Sequence, residues 1–240
     1  MLNDYLKIKK RDDNAFSDIV LLTKNQSPAF CESLKAARTN IMYSLSDQEN
    51  GKCFMITSAL ASEGKTTTAI NLAITMAKTE ARVLVVDADL RRPRLHTYLD
   101  IQNKEGLANF LGGFCDSSSI INRNNEQNLD YITAGELPPN PTELLTSKKM
   151  EDFVEELKKS YDYIIIDTPP VNAVADSAAL AHIIKNIVFV LRCGTSTFPE
   201  VKKALTALEF SNSKLLGFIT INQSNKKRST KYYSKYYSKY

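Results

Sequence analysis

The stretch Ala59-Leu60-Ala61-Ser62-Glu63-Gly64-Lys65-Thr66-Thr67 carries the clearest chemical signal in the chain. It follows the apolar run Cys53–Thr57 and opens a helical pattern in which Ala69, Ile70, Ala73, Ile74 and Ala77 share one face. A small-residue loop between a strand and a helix is an anion cradle. Its successive N–H groups and the helix N-terminus point at one place. A lysine there adds a point charge for the outer phosphates of a nucleotide, and a threonine hydroxyl beside it suits Mg²⁺. Ser62, Glu63, Gly64, Lys65, Thr66 and Thr67 are therefore the candidate nucleotide contacts. The first glycine of the usual pattern is here Ala59, a small residue that the turn can still hold. The competing reading, an ordinary surface turn, is answered by carboxylates elsewhere.

Two aspartate groups leave apolar runs. Val83-Leu84-Val85-Val86 leads into Asp87-Ala88-Asp89-Leu90-Arg91, and Ile164-Ile165-Ile166 into Asp167-Thr168-Pro169-Pro170. In an open parallel sheet, ligands collect at the carboxyl ends of the strands. One strand-end aspartate is most simply a turn former or a cap. Three beside one phosphate loop are better read as a site. Mg²⁺ takes one or two carboxylates together with phosphate oxygens. A hydroxyl nucleophile needs an acceptor for its proton. Asp87, Asp89 and Asp167 suffice for both tasks, and their spacing does not say which is the base.

The elements that must position these groups are legible in outline. Cys53–Thr57, Arg82–Val86, Tyr131–Thr133, Tyr163–Ile166, Ile187–Leu191 and Leu215–Ile221 read as buried strands, mostly continuous rather than alternating. Helical spacing is carried by Met150, Phe153, Val154, Leu157 and Tyr161, and again by Val201, Ala204, Leu205 and Leu208 after Pro199. Asp176 is a candidate cap for a helix running to Lys185, and an earlier helix is expected over about Glu32 to Ser46. Leu137-Pro138-Pro139-Asn140-Pro141 reads as a rigid loop. Strand and helix alternate, which predicts an α/β fold: a doubly wound, mostly parallel sheet flanked by helices. Three regions are expected: an N-terminal arm over 1–28, a nucleotide-binding domain over 29–222 and a tail over 223–240.

Composition narrows the classes. The 240 residues are 43% hydrophobic and 24% charged, which suits one large domain with a real core. No apolar run reaches the roughly 18 residues of a membrane-spanning helix, and residues 1–11 lack the apolar segment of a secretory signal. The four cysteines, Cys31, Cys53, Cys115 and Cys193, are far apart, which argues against a disulfide framework or a thiolate metal site and favours a cytoplasmic location. With only two histidines, His96 and His182, imidazole catalysis has little material.

Charge is uneven. Six cations and no anion follow Ser224, so the net +4 leaves residues 1–225 at −2. The body thus shows no bias towards nucleic acid. The last ten residues repeat KYYS and hold five of the eleven tyrosines: Tyr232, Tyr233, Tyr236, Tyr237 and Tyr240. Read alone, this segment is a solvated end, a single-strand nucleic-acid binder, an interfacial helix or a cluster of phosphoacceptors.

Together these motifs resemble the bacterial tyrosine kinases of the capsule and exopolysaccharide type, built on the ATPase fold of MinD and ParA. The resemblance rests on the loop at 59–67, VLVVDADLRRP at 83–93, GELPPNPTELL at 135–145, IIIDTPP at 164–170 and the terminal tyrosines. It implies ATP and Mg²⁺ as cofactors and autophosphorylation of the tail in trans. Lys65 and Thr66 would hold phosphates and Mg²⁺, Asp87 would be the base, and Asp89 and Asp167 would support the metal. Arg91 matches the arginine of the DxDxR pattern and joins the catalytic set. Glu32, Lys35 and Arg38 match the oligomerisation motif ExxRxxR, with Lys35 for the middle arginine. Lysine keeps the charge there and loses the bidentate fork; by itself the stretch reads as an exposed helix face. The implied partners are further copies in a ring-like homo-oligomer, a membrane adaptor of the polysaccharide co-polymerase type and a cognate tyrosine phosphatase. A chain without a spanning segment that starts just before the ATPase domain fits recruitment by such an adaptor to the inner face of the membrane. Beside this core, the phosphoacceptor reading of the tail leads.

The main rival is a MinD- or ParA-like ATPase acting as a dimerisation switch. Such proteins carry an extra lysine early in the loop, which positions 58–62 lack. The tail also lacks the apolar helix of the MinD type. A nucleotide-gated module without turnover is disfavoured by the intact Lys65, Thr66 and aspartates. An iron–sulfur reductase would need cysteines better placed than Cys115 and Cys193.

Overall fold

The computed structural model describes residues 26–123 and 128–221. Within them, six strands form one parallel sheet: β1 (Lys52–Ser58), β2 (Val83–Asp87), β3 (Leu129–Ile132), β4 (Tyr163–Asp167), β5 (Asn186–Arg192) and β6 (Lys214–Ile221). Their order is β3-β2-β4-β1-β5-β6. This is the doubly wound sheet that the alternation of elements predicts.

Alternate residues of the central strands feed two cores, because successive side chains point to opposite faces. Phe54, Ile56, Val85, Ile165 and Val188 pack under α1 (Pro28–Ser44) and α2 (Lys65–Ala77). Met55, Leu84, Ile164, Ile166 and Phe189 pack under α7 (Lys148–Leu157), α8 (Asp176–Ile184) and α9 (Phe198–Glu209). Phe54 is fully enclosed, so truncation to alanine there should cost about 3–5 kcal/mol. β6 is at the edge and only partly covered, which explains its mixed exposure.

Helix boundaries follow local chemistry. α1 begins earlier than expected: Ser27 accepts from the Phe30 N–H at 3.3 Å and Pro28 stands in the first turn. α7 turns Met150, Phe153, Val154 and Leu157 inward, while Lys148 pairs with Glu151 and Asp152 outside. Tyr161 lies beyond the end of α7 but packs into the same core, with its hydroxyl donating to Asp130 at 2.7 Å. Asp176 does not cap α8. It is the first helical residue, Ala175 holds the cap position, and its carboxylate is used elsewhere. Four short helices, α3 (Leu95–Leu99), α4 (Leu107–Leu111), α5 (Ser117–Ile120) and α6 (Pro141–Leu145), lie in connections that read as irregular. Pro141 opens α6, where its missing N–H is no loss. Most of the proposed arm, 1–25, and the tail from 222 lie outside the described residues.

Candidate active site

The phosphate loop runs from the end of β1 to the start of α2. Two of its residues take left-handed backbone, Ser62 with φ 62° and Gly64 with φ 86°. A Cβ on Gly64 would stand 2.7 Å from Cδ1 of Ile221, the movable end of that side chain, so the left-handed conformation is what favours glycine there. Ala59 fits the place of the usual first glycine for a plain reason: it is fully buried in the core and is not among the positive-φ residues.

Glu63 is fully enclosed and shapes the loop from within. Its Oε2 accepts from the Leu60 N–H at 2.8 Å. Its Oε1 accepts from the Arg192 N–H at 3.3 Å and the Ser196 hydroxyl at 2.5 Å. A negative side chain is thus turned from the anion cradle and binds the loop to the segment after β5. Any contact of Glu63 with a nucleotide therefore falls to its backbone.

Lys65 opens α2 and is nearly buried, and Thr66 and Thr67 are half-exposed in the same turn. The Thr66 hydroxyl donates to Oδ2 of Asp167 at 2.5 Å. Asp167 ends β4, the neighbour of β1, and Asp87 stands opposite it at the end of β2. The three groups that sequence places after separate strands are therefore neighbours at one edge of the sheet.

Burial makes these carboxylates reluctant to ionise. Asp167 is pushed up to about 7, chiefly by burial and against the pull of Lys65 and Thr66. Its Oδ1 is buried without a partner. Asp87 is raised well above the usual carboxylate range by burial and by Asp167, with the Leu95 and Asp89 amides pulling the other way; three amides donate to it in all. Those amides are Asp89 N–H on Oδ1 at 3.2 Å, and Arg94 and Leu95 N–H on Oδ2 at 3.1 and 3.0 Å. Asp87 therefore organises the loop after β2. Asp89 is half-exposed, with Oδ1 accepting from the Arg92 N–H at 2.9 Å.

The donor set suits Mg²⁺. An orphaned, enclosed carboxylate oxygen costs free energy until a cation or proton meets it, and it sits beside a threonine hydroxyl and a lysine. Thr66 and Asp167 would hold the ion, with Asp89 on the open side.

Arg91 is engaged by a buried carboxylate. Its Nε donates to Asp176 Oδ2 at 2.8 Å and its Nη2 to Asp176 Oδ1 at 3.1 Å. Thr142 completes the group with a 2.6 Å bond from its hydroxyl to Asp176. Sequence reasoning missed Asp176 and Thr142 as parts of the site. The signal available was an aspartate at the head of an otherwise apolar helix.

On α1, Glu32 and Lys35 form an exposed pair at 2.7 Å. Arg38 is half-buried and donates from Nη1 to the Thr75 carbonyl of α2 at 3.0 Å. Two of the three candidate assembly residues thus face outward, and the third braces the helix of the phosphate loop. The five tail tyrosines lie outside the described residues. Among the described residues, no helix is long and apolar enough to cross a membrane.

A family model described as "AAA domain" matches residues 54–213. The chain is 38% identical over 225 residues to the tyrosine-protein kinase YwqD of Bacillus subtilis, covering 94% of each. It is 38% identical over 200 residues to the tyrosine-protein kinase CpsD of Streptococcus agalactiae, covering 83% of this chain and 84% of that one. It covers only 29% of the tyrosine-protein kinase etk of Escherichia coli, at 34% identity. Among solved structures, the chimerical protein CapA2B2 matches with a TM-score of 0.78 and 34% identity, over 85% of this chain and 89% of that one. MinD of Pyrococcus horikoshii, at 22% identity and a TM-score of 0.62 over 73% of this chain and 72% of that one, shares the fold.

Proposed function

The chain belongs to the bacterial tyrosine-protein kinases, and from that membership we propose that it transfers the γ-phosphoryl group of ATP to tyrosine hydroxyls, beginning with its own tail. The observation that carries this reading is the convergence of Lys65, Thr66, Asp167 and Asp87 at the carboxyl ends of three adjacent strands.

The roles follow from charge and reach. The loop amides and Lys65 hold the β- and γ-phosphates. Thr66 and Asp167, with Asp89, would hold Mg²⁺, which would neutralise phosphate charge. The phenol oxygen of a tyrosine attacks the γ-phosphorus as the bond to the β-phosphate oxygen breaks. ADP leaves, and the phenolic proton passes to a carboxylate. Little covalent work falls to the protein, so positioning and charge stabilisation dominate. The resemblance gives the proton to Asp87. That carboxylate is enclosed and holds three amides, so it can take the proton itself only if the loop opens. As the loop stands, Asp89 is the aspartate with an accessible oxygen.

The acceptors are Tyr232, Tyr233, Tyr236, Tyr237 and Tyr240. From Asn222 to the terminus the chain can extend to about 60 Å, enough to reach a neighbouring copy. Phosphorylation adds about −1.5 to −2 charges per tyrosine and would reverse the sign of this basic segment. Loosened assembly is the expected consequence, with Glu32, Lys35 and Arg38 on or near the interface of a ring-like homo-oligomer. A membrane adaptor of the polysaccharide co-polymerase type would bring the kinase to the inner face of the membrane, where it would regulate capsule or exopolysaccharide synthesis and export. A tyrosine phosphatase would reset the tail.

The test is incubation of the pure chain with Mg·ATP and mass spectrometry of the C-terminal peptide. Phosphotyrosine in the wild type and none in Lys65→Met supports the reading. A dimerisation-switch ATPase would hydrolyse ATP and leave the peptide unmodified.

A further inference from the structure

Arg91, Thr142 and Asp176 come from three different segments. Arg91 lies in the loop after β2, Thr142 is the second residue of α6 in the segment after β3, and Asp176 begins α8 after β4. The three strands involved are consecutive in the sheet, all on one side of the phosphate loop. Asp176 is fully buried, and its two oxygens receive the Arg91 fork and the Thr142 hydroxyl. Arg91 Nη2 also reaches Thr142 Oγ1 at 3.3 Å, which closes a triangle. The next residue, Ser177, donates to the Pro169 carbonyl at 2.5 Å, and Thr57 of β1 donates to the same carbonyl at 2.9 Å. A continuous set of bonds therefore runs from beside Asp167, through Pro169, Ser177 and Asp176, to the loop that carries Asp89.

This geometry separates two halves of the cleft. The phosphate loop has a brace of its own on the β5 side in Glu63, whose partners lie outside the triangle. The aspartate loop, held at its base by the amides on Asp87, is tied to α6 and α8 by the triangle. In the kinase reading the loop amides and α2 face the phosphates, which leaves the aspartate side for the phenol. Arg91 holds this carboxylate through Nε and Nη2, a planar bidentate match that lysine does not reproduce.

We propose that Arg91, Thr142 and Asp176 are positioning residues that hold the acceptor wall of the cleft, setting the turnover of tyrosine transfer without setting nucleotide affinity. This rests on the kinase reading of the same site. It assigns Arg91 to the alignment of Asp89 rather than to contact with phosphate. A small misplacement at a reacting centre is enough to slow transfer by one or two orders of magnitude.

The experiment uses the full chain with a synthetic peptide of residues 229–240 as acceptor. Rate constants, nucleotide affinity by a fluorescent ADP analogue and melting temperature are measured together. Thr142→Val, which removes one hydroxyl, should lower kcat about tenfold, with nucleotide affinity within about twofold of wild type. Arg91→Met should lower kcat further, and Arg91→Lys should melt normally without recovering the rate. The double variant Thr142→Val/Arg91→Met should be no slower than Arg91→Met, since both break one unit. Where Asp176→Asn fails to fold, Thr142→Val with an unchanged melting temperature carries the test. Multiplicative effects, an unchanged kcat in Thr142→Val and Arg91→Met, or nucleotide affinity falling in step with kcat would overturn the proposal. A wild type that labels no tyrosine at all removes the kinase reading itself, a result distinct from those.

Discussion

The Thr66 hydroxyl donates to Oδ2 of Asp167 at 2.5 Å, joining the first turn of α2 to the end of β4. The bond holds one oxygen of a buried carboxylate whose other oxygen has no partner. Such a group is strained in solvation terms until a cation arrives. Asp167→Asn should therefore uncouple stability from activity. The nucleotide-free variant should melt higher than wild type near pH 8, and Mg²⁺-dependent turnover should fall at least about 100-fold, as for other lost electrostatic groups. Calorimetry and a kinase assay on one preparation check both.

The sign of the pH dependence follows from the same residue. Asp167 titrates near 7 in the folded chain, against about 3.9 in an unfolded one. Between these values the native state keeps a proton that the unfolded state has released. Stability from this group is therefore full at low pH and is lost as pH rises through 7. The melting advantage of Asp167→Asn over wild type should grow from about pH 5 to about pH 8. An advantage that shrinks over that range would contradict the burial argument.

Two small-residue exchanges in the phosphate loop should behave oppositely. Gly64→Ala forces a side chain into left-handed backbone beside Ile221, at roughly 1–2 kcal/mol for the backbone alone. It should weaken nucleotide binding measurably. Ala59→Gly removes one enclosed methyl and needs no change in backbone. It should cost about 1 kcal/mol of stability and leave nucleotide affinity near wild type. Titration with a fluorescent nucleotide separates the two.

Glu63→Ala leaves the Leu60 and Arg192 amides and the Ser196 hydroxyl without their acceptor. Each orphaned donor that stays dry costs about 1–3 kcal/mol. The variant should melt lower and bind nucleotide more weakly, because the loop loses its brace. Glu63→Gln keeps one acceptor oxygen and should fall between.

Trans transfer is tested by mixing. A chain truncated after Ser224 should bind ATP and should phosphorylate the tail of Lys65→Met. Label confined to Tyr98 or Tyr131 would defeat the tail assignment.

Much of this architecture was legible because it is local. The run into Gly64-Lys65-Thr66 dictates strand, turn and helix within a few residues, and β1 and α2 lie where that pattern puts them. Asp87 and Asp167 were readable as strand ends for the same reason. What escaped depends on contacts distant in sequence. Asp176 looked like a cap because a helix-leading aspartate usually is one; its true partners lie 85 and 34 positions away. The role of the Glu63 side chain was hidden because Ser196, one of its partners, lies 133 positions away. The start of α1 was missed because Ser27-Pro28 stands at the end of a polar stretch, where a cap and a loop look alike.

The most direct test follows the γ-phosphoryl group itself. The pure chain is given Mg·[γ-³²P]ATP, and label is partitioned between protein tyrosine and inorganic phosphate. The account predicts label on the tyrosines of residues 231–240, absent in Lys65→Met. Label recovered only as inorganic phosphate, with the tyrosines unmodified, would contradict it.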